Sequence, residues 1–245
     1  MYARFAVAVA AAVTLTAPAA AQRSSDAEFT MAQVRSYPFP TGLTAAATGA
    51  RIAWTFNEQG RRNLYVAEGP EFAARRVTDY PDDDGQELSS ISLAPDGSRI
   101  VYVRGGDHGS NWDDHEPVNV TSSPVPPEVR IWSVPFAGGE PVELGGGENP
   151  VISPRGDVVA FVQGGQIWTV PIDGSASAER LFTVRGSNGS PTWSPDGSRL
   201  AFVSYRGDHA FVGVYTNDST PIVWLEPTFA RDYSPRWSPD GMRIA

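Results

Sequence analysis

One tract recurs along this chain and limits its folds more than anything else in it. Five segments share a pattern: Gly49-Ala50-Arg51-Ile52-Ala53-Trp54, Gly97-Ser98-Arg99-Ile100-Val101-Tyr102, Gly156-Asp157-Val158-Val159-Ala160-Phe161, Gly197-Ser198-Arg199-Leu200-Ala201-Phe202 and Gly241-Met242-Arg243-Ile244-Ala245. The glycines are 48, 59, 41 and 44 residues apart. Four copies follow a common turn: Ala94-Pro95-Asp96-Gly97, Ser153-Pro154-Arg155-Gly156, Ser194-Pro195-Asp196-Gly197 and Ser238-Pro239-Asp240-Gly241. Proline sets φ near −65° at the first central position and glycine takes the left-handed conformation that ends the turn. The short apolar strand that follows, closing on an aromatic residue, reads as one buried on both sides.

A second strand is expected over Asn63–Val66, Arg130–Val134, Gln166–Val170 and Val212–Tyr215, with a more polar edge strand at Arg75–Thr78 and Arg180–Thr183. Units of about 40–45 residues with four short strands are the size of one β-propeller blade. A β-sandwich gives no reason for one turn to recur at that spacing. Gly (24) and Pro (21) are abundant enough for many strands joined by tight turns. The fold expected is all-β: a β-propeller of about four blades plus the start of a fifth, incomplete. An aromatic residue follows the position matching Ala245 in each earlier repeat, so the chain is expected to stop inside a core strand.

Residues 1–21 hold one cation, Arg4, an apolar run from Phe5 to Leu15 and Ala19-Ala20-Ala21 before Gln22. A positive start, an apolar stretch too short to span a bilayer and small residues at the cut make a secretory signal peptide. Residues 22–41 then form an N-terminal arm, and 42–245 the partial propeller. The expected location is periplasmic or secreted, with no membrane contact after cleavage. The net charge of −9, with no lysine among the 19 basic residues, excludes a P-loop or a lysine Schiff base and gives no nucleic-acid footprint. With no cysteine there is neither a disulfide nor a thiolate nucleophile, and no cofactor is expected.

The repeats, above all Trp193-Ser194-Pro195-Asp196-Gly197-Ser198-Arg199-Leu200-Ala201-Phe202, resemble the N-terminal propellers of the prolyl oligopeptidase family of serine peptidases, dipeptidyl-peptidase and acylaminoacyl-peptidase types in particular. They are also similar to the TolB propeller. TolB-like proteins place an α/β domain before the propeller, for which residues 22–42 leave no room. The resemblance implies a propeller that admits short peptides to an α/β-hydrolase domain lying beyond this chain. That domain and a peptide substrate are the partners expected. Two other readings are a non-enzymatic TolB-like periplasmic scaffold and the propeller of a metal-dependent amidohydrolase.

No Gly-x-Ser-x-Gly elbow occurs, so no catalytic residue is assigned here. The excess length in the 59-residue step reads as an inserted loop at about 105–128. It holds Asp107, His108, Trp112, Asp113, Asp114, His115 and Glu116, then the prolines Pro124, Pro126 and Pro127. Long loops on rigid scaffolds often carry function. Its acids would pair with a substrate amine and Trp112 would stack on it. A solvated loop and a metal site are the other readings, and the spacing matches no known ligand pattern. Asp82-Asp83-Asp84 reads as a solvated turn, with calcium binding as the alternative, and Asp208-His209 as part of a hairpin connection.

Overall fold

The computed structural model describes residues 30–36, 38–105 and 128–245. After a single-turn helix, α1 (Met31–Ser36), the chain forms four antiparallel sheets of four strands, each built from consecutive strands. Blade 1 is β1 (Phe39–Ala45), β2 (Arg51–Glu58), β3 (Arg61–Glu68) and β4 (Arg75–Arg76). Blade 2 is β5 (Leu88–Leu93), β6 (Arg99–Arg104), β7 (Arg130–Pro135) and β8 (Val142–Gly146). Blade 3 is β9 (Glu148–Ile152), β10 (Val158–Gln163), β11 (Gln166–Pro171) and β12 (Glu179–Arg180). Blade 4 is β13 (Ser187–Trp193), β14 (Leu200–Tyr205), β15 (Ala210–Tyr215) and β16 (Val223–Leu225). A further hairpin begins with the bridge between Trp237 and Ile244.

The strands expected over Asn63–Val66, Arg130–Val134, Gln166–Val170 and Val212–Tyr215 are β3, β7, β11 and β15, third in their blades. The expected edge strands of blades 1 and 3, fourth in their blades, shrink to two residues each, because Val77 and Leu181 leave the ladder as the chain crosses to the next blade. Their amides still bond to Leu64 O and Ile167 O, at 2.9 and 3.0 Å. Short outer edges leave little unpaired backbone for another sheet to join.

The core lies between blades. Ala53, Leu64 and Val66 of blade 1 pack on Ile100, Tyr102 and Val134 of blade 2. Val101, Val103 and Ile131 pack on Val159, Phe161 and Val170, and Ala160 and Ile167 on Leu200 and Phe202. Period-2 alternation explains this arrangement: along each second strand, successive side chains point to opposite neighbours, so both faces of the blade are apolar. Tyr102, Phe161 and Phe202 are the largest fully buried side chains among the described residues.

Each turn before a second strand is closed by glycine N–H donating to the carbonyl three residues back, at 2.7–2.9 Å for Gly97, Gly156, Gly197 and Gly241. Those four glycines have φ between +67° and +75°. Consecutive turns also stack. A Cβ added to Gly156, Gly197 or Gly241 would stand 3.4 Å from Cδ of Pro95, Pro154 or Pro195, the proline of the turn before.

A second repeated device sits on the innermost strands. Gly42, Ser90, Asn149, Ser190 and Ser234 all have positive φ, from +49° to +65°, and each lies seven residues before its turn glycine. The ladder between first and second strands shifts register at this point in every blade. This is a β-bulge, which bends the strand and sharpens its twist.

Candidate functional site

The antiparallel order puts the stacked turns on one face of the arc. The hairpins between second and third strands, and the crossings from blade to blade, lie on the opposite face. Between β6 and β7, on that opposite face, the inserted loop leaves the sheet. Asp107, His108, Trp112, Asp113, Asp114, His115 and Glu116 all fall in 106–127, outside the described residues. Gly105 and Glu128 fix where the loop departs and returns.

The loop returns beside a cleft of about 410 Å³, lined by Glu128, Val129, Gly147, Glu148, Val162, Gln163, Gly164, Gly165 and Ser187. Backbone forms much of the wall. Gly147 (φ +140°) donates its N–H to Val129 O at 3.1 Å, and a Cβ there would come within 2.3 Å of Val162 O. Only glycine allows the strands to approach so closely. Gly164 and Gly165, both in the left-handed region, make the β10–β11 turn, which suits a two-residue hairpin. Asn188, fully buried beside Ser187, donates its side-chain amide to Gln166 Oε1 and Gly186 O, each at 3.2 Å. Its own N–H donates to Gly165 O at 2.8 Å. These bonds fix the rim.

Two carboxylates reach the cleft from its sides. Arg130 holds Glu128 and also pairs with Glu143. Glu148, at the start of β9, is partly buried, and its carboxylate makes no ion pair among the described residues. The charged groups of the lining are both carboxylates, beside the Gln163 amide and the Ser187 hydroxyl, which can donate or accept. Such a lining favours a small cationic donor over an anion.

The acidic run lies on the same face, above blades 1 and 2, and is held by arginines. Arg62 lies 3.1 Å from Glu87 and 3.7 Å from Asp83, and Arg104 pairs with Asp84. The Arg104 guanidinium also stands 4.3 Å from the centre of the Tyr80 ring. Tyr80 and Tyr102 share a 2.7 Å hydroxyl bond, and burial pushes the pKa of both phenols above the ordinary tyrosine value. Asp82, Asp83 and Asp84 are all exposed, as a solvated turn requires, with Asp83 and Asp84 facing arginines, and no group of three metal-ligating side chains occurs among the described residues.

His209 lies in the β14–β15 connection, as the sequence indicated. Its Nδ1 is 2.6 Å from Asp208 Oδ1, and its ring lies against Phe211. Among the described residues no serine hydroxyl is hydrogen-bonded to this pair. Arg231, bonded to the carbonyls of Gly207 and Asp208, fixes the connection instead.

Four four-stranded sheets follow one another in chain order, with first strand beside first strand. The fold is a β-propeller. Solved propellers agree. TolB from Acinetobacter baumannii matches with a TM-score of 0.53 and 21% identity over 84% of this chain and 48% of its own. An oligogalacturonate lyase in complex with manganese matches at 0.55 and 19%, over 77% and 54%. The Pyrococcus horikoshii acylaminoacyl peptidase matches at 0.51 and 10%, over 86% and 35%. The chain spans about half, or less, of the length of these three proteins. At these identities the likeness is one of fold. No family model and no curated protein matches the chain.

Proposed function

We propose that this propeller is the substrate-admitting portion of a secreted serine exopeptidase acting on short peptides, working with an α/β-hydrolase domain. The observation that supports this reading is the cleft with carboxylates Glu128 and Glu148 in its lining, at the root of the inserted loop and on the face that carries the blade connections. A peptide's protonated amine carries the positive charge that such a lining lacks. Glu148 is the group whose charge is open to it, whereas that of Glu128 is already matched by Arg130. Propellers of prolyl endopeptidases and acylaminoacyl peptidases among the solved structures support the reading at the level of fold.

Calorimetric titration of the purified chain with a short free-amine peptide and its N-acetylated counterpart tests this. The free-amine peptide is expected to bind, acetylation to abolish binding, and Glu148→Gln to weaken it about tenfold, the equivalent of about 1.4 kcal/mol. Equal behaviour of the two peptides would overturn the reading. A TolB-like scaffold is the second reading, favoured by the higher identities of the two TolB structures, 21% and 18%. It requires a folded protein partner and no response to peptide amines.

A further inference from the structure

The cleft beside Glu148 does not end at its own rim. Gln163 borders it on one side and, on the other, a groove of about 550 Å³. Gly146 lines the groove and Gly147 the cleft, so the two hollows meet across a single peptide bond. A Cβ placed on Gly146 would lie 3.6 Å from Gln163 Nε2 and 3.9 Å from Val129 O, so glycine keeps this crossing low. One guanidinium braces both hollows, because Arg130 pairs with Glu128 of the cleft and with Glu143 of the groove. The groove follows the seam of blades 2 and 3, each of which packs on a further blade at its other flank.

Backbone and small side chains make the groove's two walls. One wall is β8, of which four consecutive residues, 143–146, face the groove. Successive side chains of a strand point to opposite sides, so four in a row share a hollow only along the strand's edge. β8 is the last strand of its sheet and, at five residues, the longest outer strand of the four blades. The N–H and C=O groups on its far side therefore have no ladder partner among the described strands. The other wall is residues 174–178, none bulkier than serine. Trp168 adds an aromatic surface, its indole fixed by Nε1 donating to Gln163 O at 3.2 Å. Strand and loop touch at the far end, where a Cβ on Gly174 would come within 2.4 Å of Val142 Cγ1.

We propose that this groove is a subsite for the main chain of a peptide, which lies along β8 as an added strand. The direction rests on the function proposed for the cleft: the amine sits at Glu148 and the chain passes over Gly146 toward Val142. A peptide running that way is antiparallel to β8, and its backbone supplies the hydrogen bonds that the edge lacks. At about 3.4 Å per residue, β8 gives room for roughly four extended residues beyond the first two, which the cleft holds. The substrate class is an unfolded peptide of about six residues, read along this stretch by its backbone.

Calorimetry of the purified chain with free-amine peptides of two, four, six and eight residues tests this. Affinity is expected to rise about tenfold from two residues to six, as roughly two or three strand hydrogen bonds form, and then to level off. Methylating the amide nitrogens of the fourth and fifth residues, one at a time, should weaken binding in one case only, because strand amides alternate in direction. Ser177→Trp, at an exposed position in the groove wall, is expected to reduce the six-residue peptide to dipeptide affinity. Dipeptide binding should be unchanged in that variant, which also shows it to be folded. Equal affinity at every length would overturn the groove and leave the amine reading standing. So would a gain with length that survives Ser177→Trp, or methylations of equal effect. An acetylated six-residue peptide that binds as well as the free one, and loses that binding in Ser177→Trp, would keep the groove and overturn the amine reading.

Discussion

Asp196 shows how much of this fold rests on one carboxylate per repeat. It accepts from Ser194 Oγ at 2.6 Å, Ser198 Oγ at 2.7 Å and Ser198 N at 3.0 Å. These bonds, the Ser194 hydroxyl first, hold its carboxyl below the usual carboxylate range, and Asp96 and Asp240 are lowered by the same kind of contact. Blade 3 has Arg155 at this position, and Asp157, two residues on, takes over by accepting from Ser153 Oγ at 2.6 Å. A carboxyl whose folded value lies below its unfolded value of about 3.9 adds stability above that pH, and the gain is lost as pH falls through the folded value. Asp196→Asn is therefore expected to lower the thermal unfolding midpoint at pH 7, with the gap to the unmodified chain narrowing as titration proceeds below about pH 4. Melting curves from pH 7 to pH 3 check this, and a gap independent of pH would contradict it.

At the scale of elements, the turn and the strand after it were legible because their residues are chemically distinctive. Proline, aspartate and glycine each have a conformational reason to stand where they do. Gly197 combines φ +68° with a Cβ site 3.4 Å from Pro154 Cδ. Gly197→Val is expected to cost about 1–3 kcal/mol from backbone strain alone, with further loss from crowding, and an unchanged thermal midpoint would show the turn to be misread. The bulge on the first strands was equally regular yet went unread. Its signal was present in Asn149-Pro150, Ser190-Pro191 and Ser234-Pro235, but blades 1 and 2 have Gly42-Leu43 and Ser90-Ile91 there, which hides the pattern. Backbone geometry recurs at all five positions while residue type does not. The outer strands were read too long, because their alternation runs on into residues that cross to the next blade.

Over the whole molecule, each blade touches mainly its neighbours in sequence, so stability is approximately a sum of blades and interfaces. Blades 2 and 3 have packed neighbours on both sides, whereas blade 1 leaves Leu43 and Phe39 in water. Hydrogen exchange in dilute solution should therefore be slowest in β6 and β10 and faster in β2. Equal protection of all three strands would mean that the arc opens as one unit. The number and spacing of blades could be read from the repeat, since they follow from periodicity. The cleft could not. Its walls come from glycine backbones and from Glu148, brought together only by strand crossings, and the sequence drew attention to the polar residues of 106–127 instead. No helix among the described residues is long and apolar enough to cross a membrane.

The arginines and prolines of the turn face give the arc a direction. The guanidinium groups of Arg51, Arg155 and Arg199 each grip the turn that comes later in the chain, and Gly156, Gly197 and Gly241 each rest on a proline already laid down. A growing chain thus meets a finished step before the next is made. Assembly of the arc can keep pace with synthesis from the N-terminal end, as a staircase is built upward from its lowest tread.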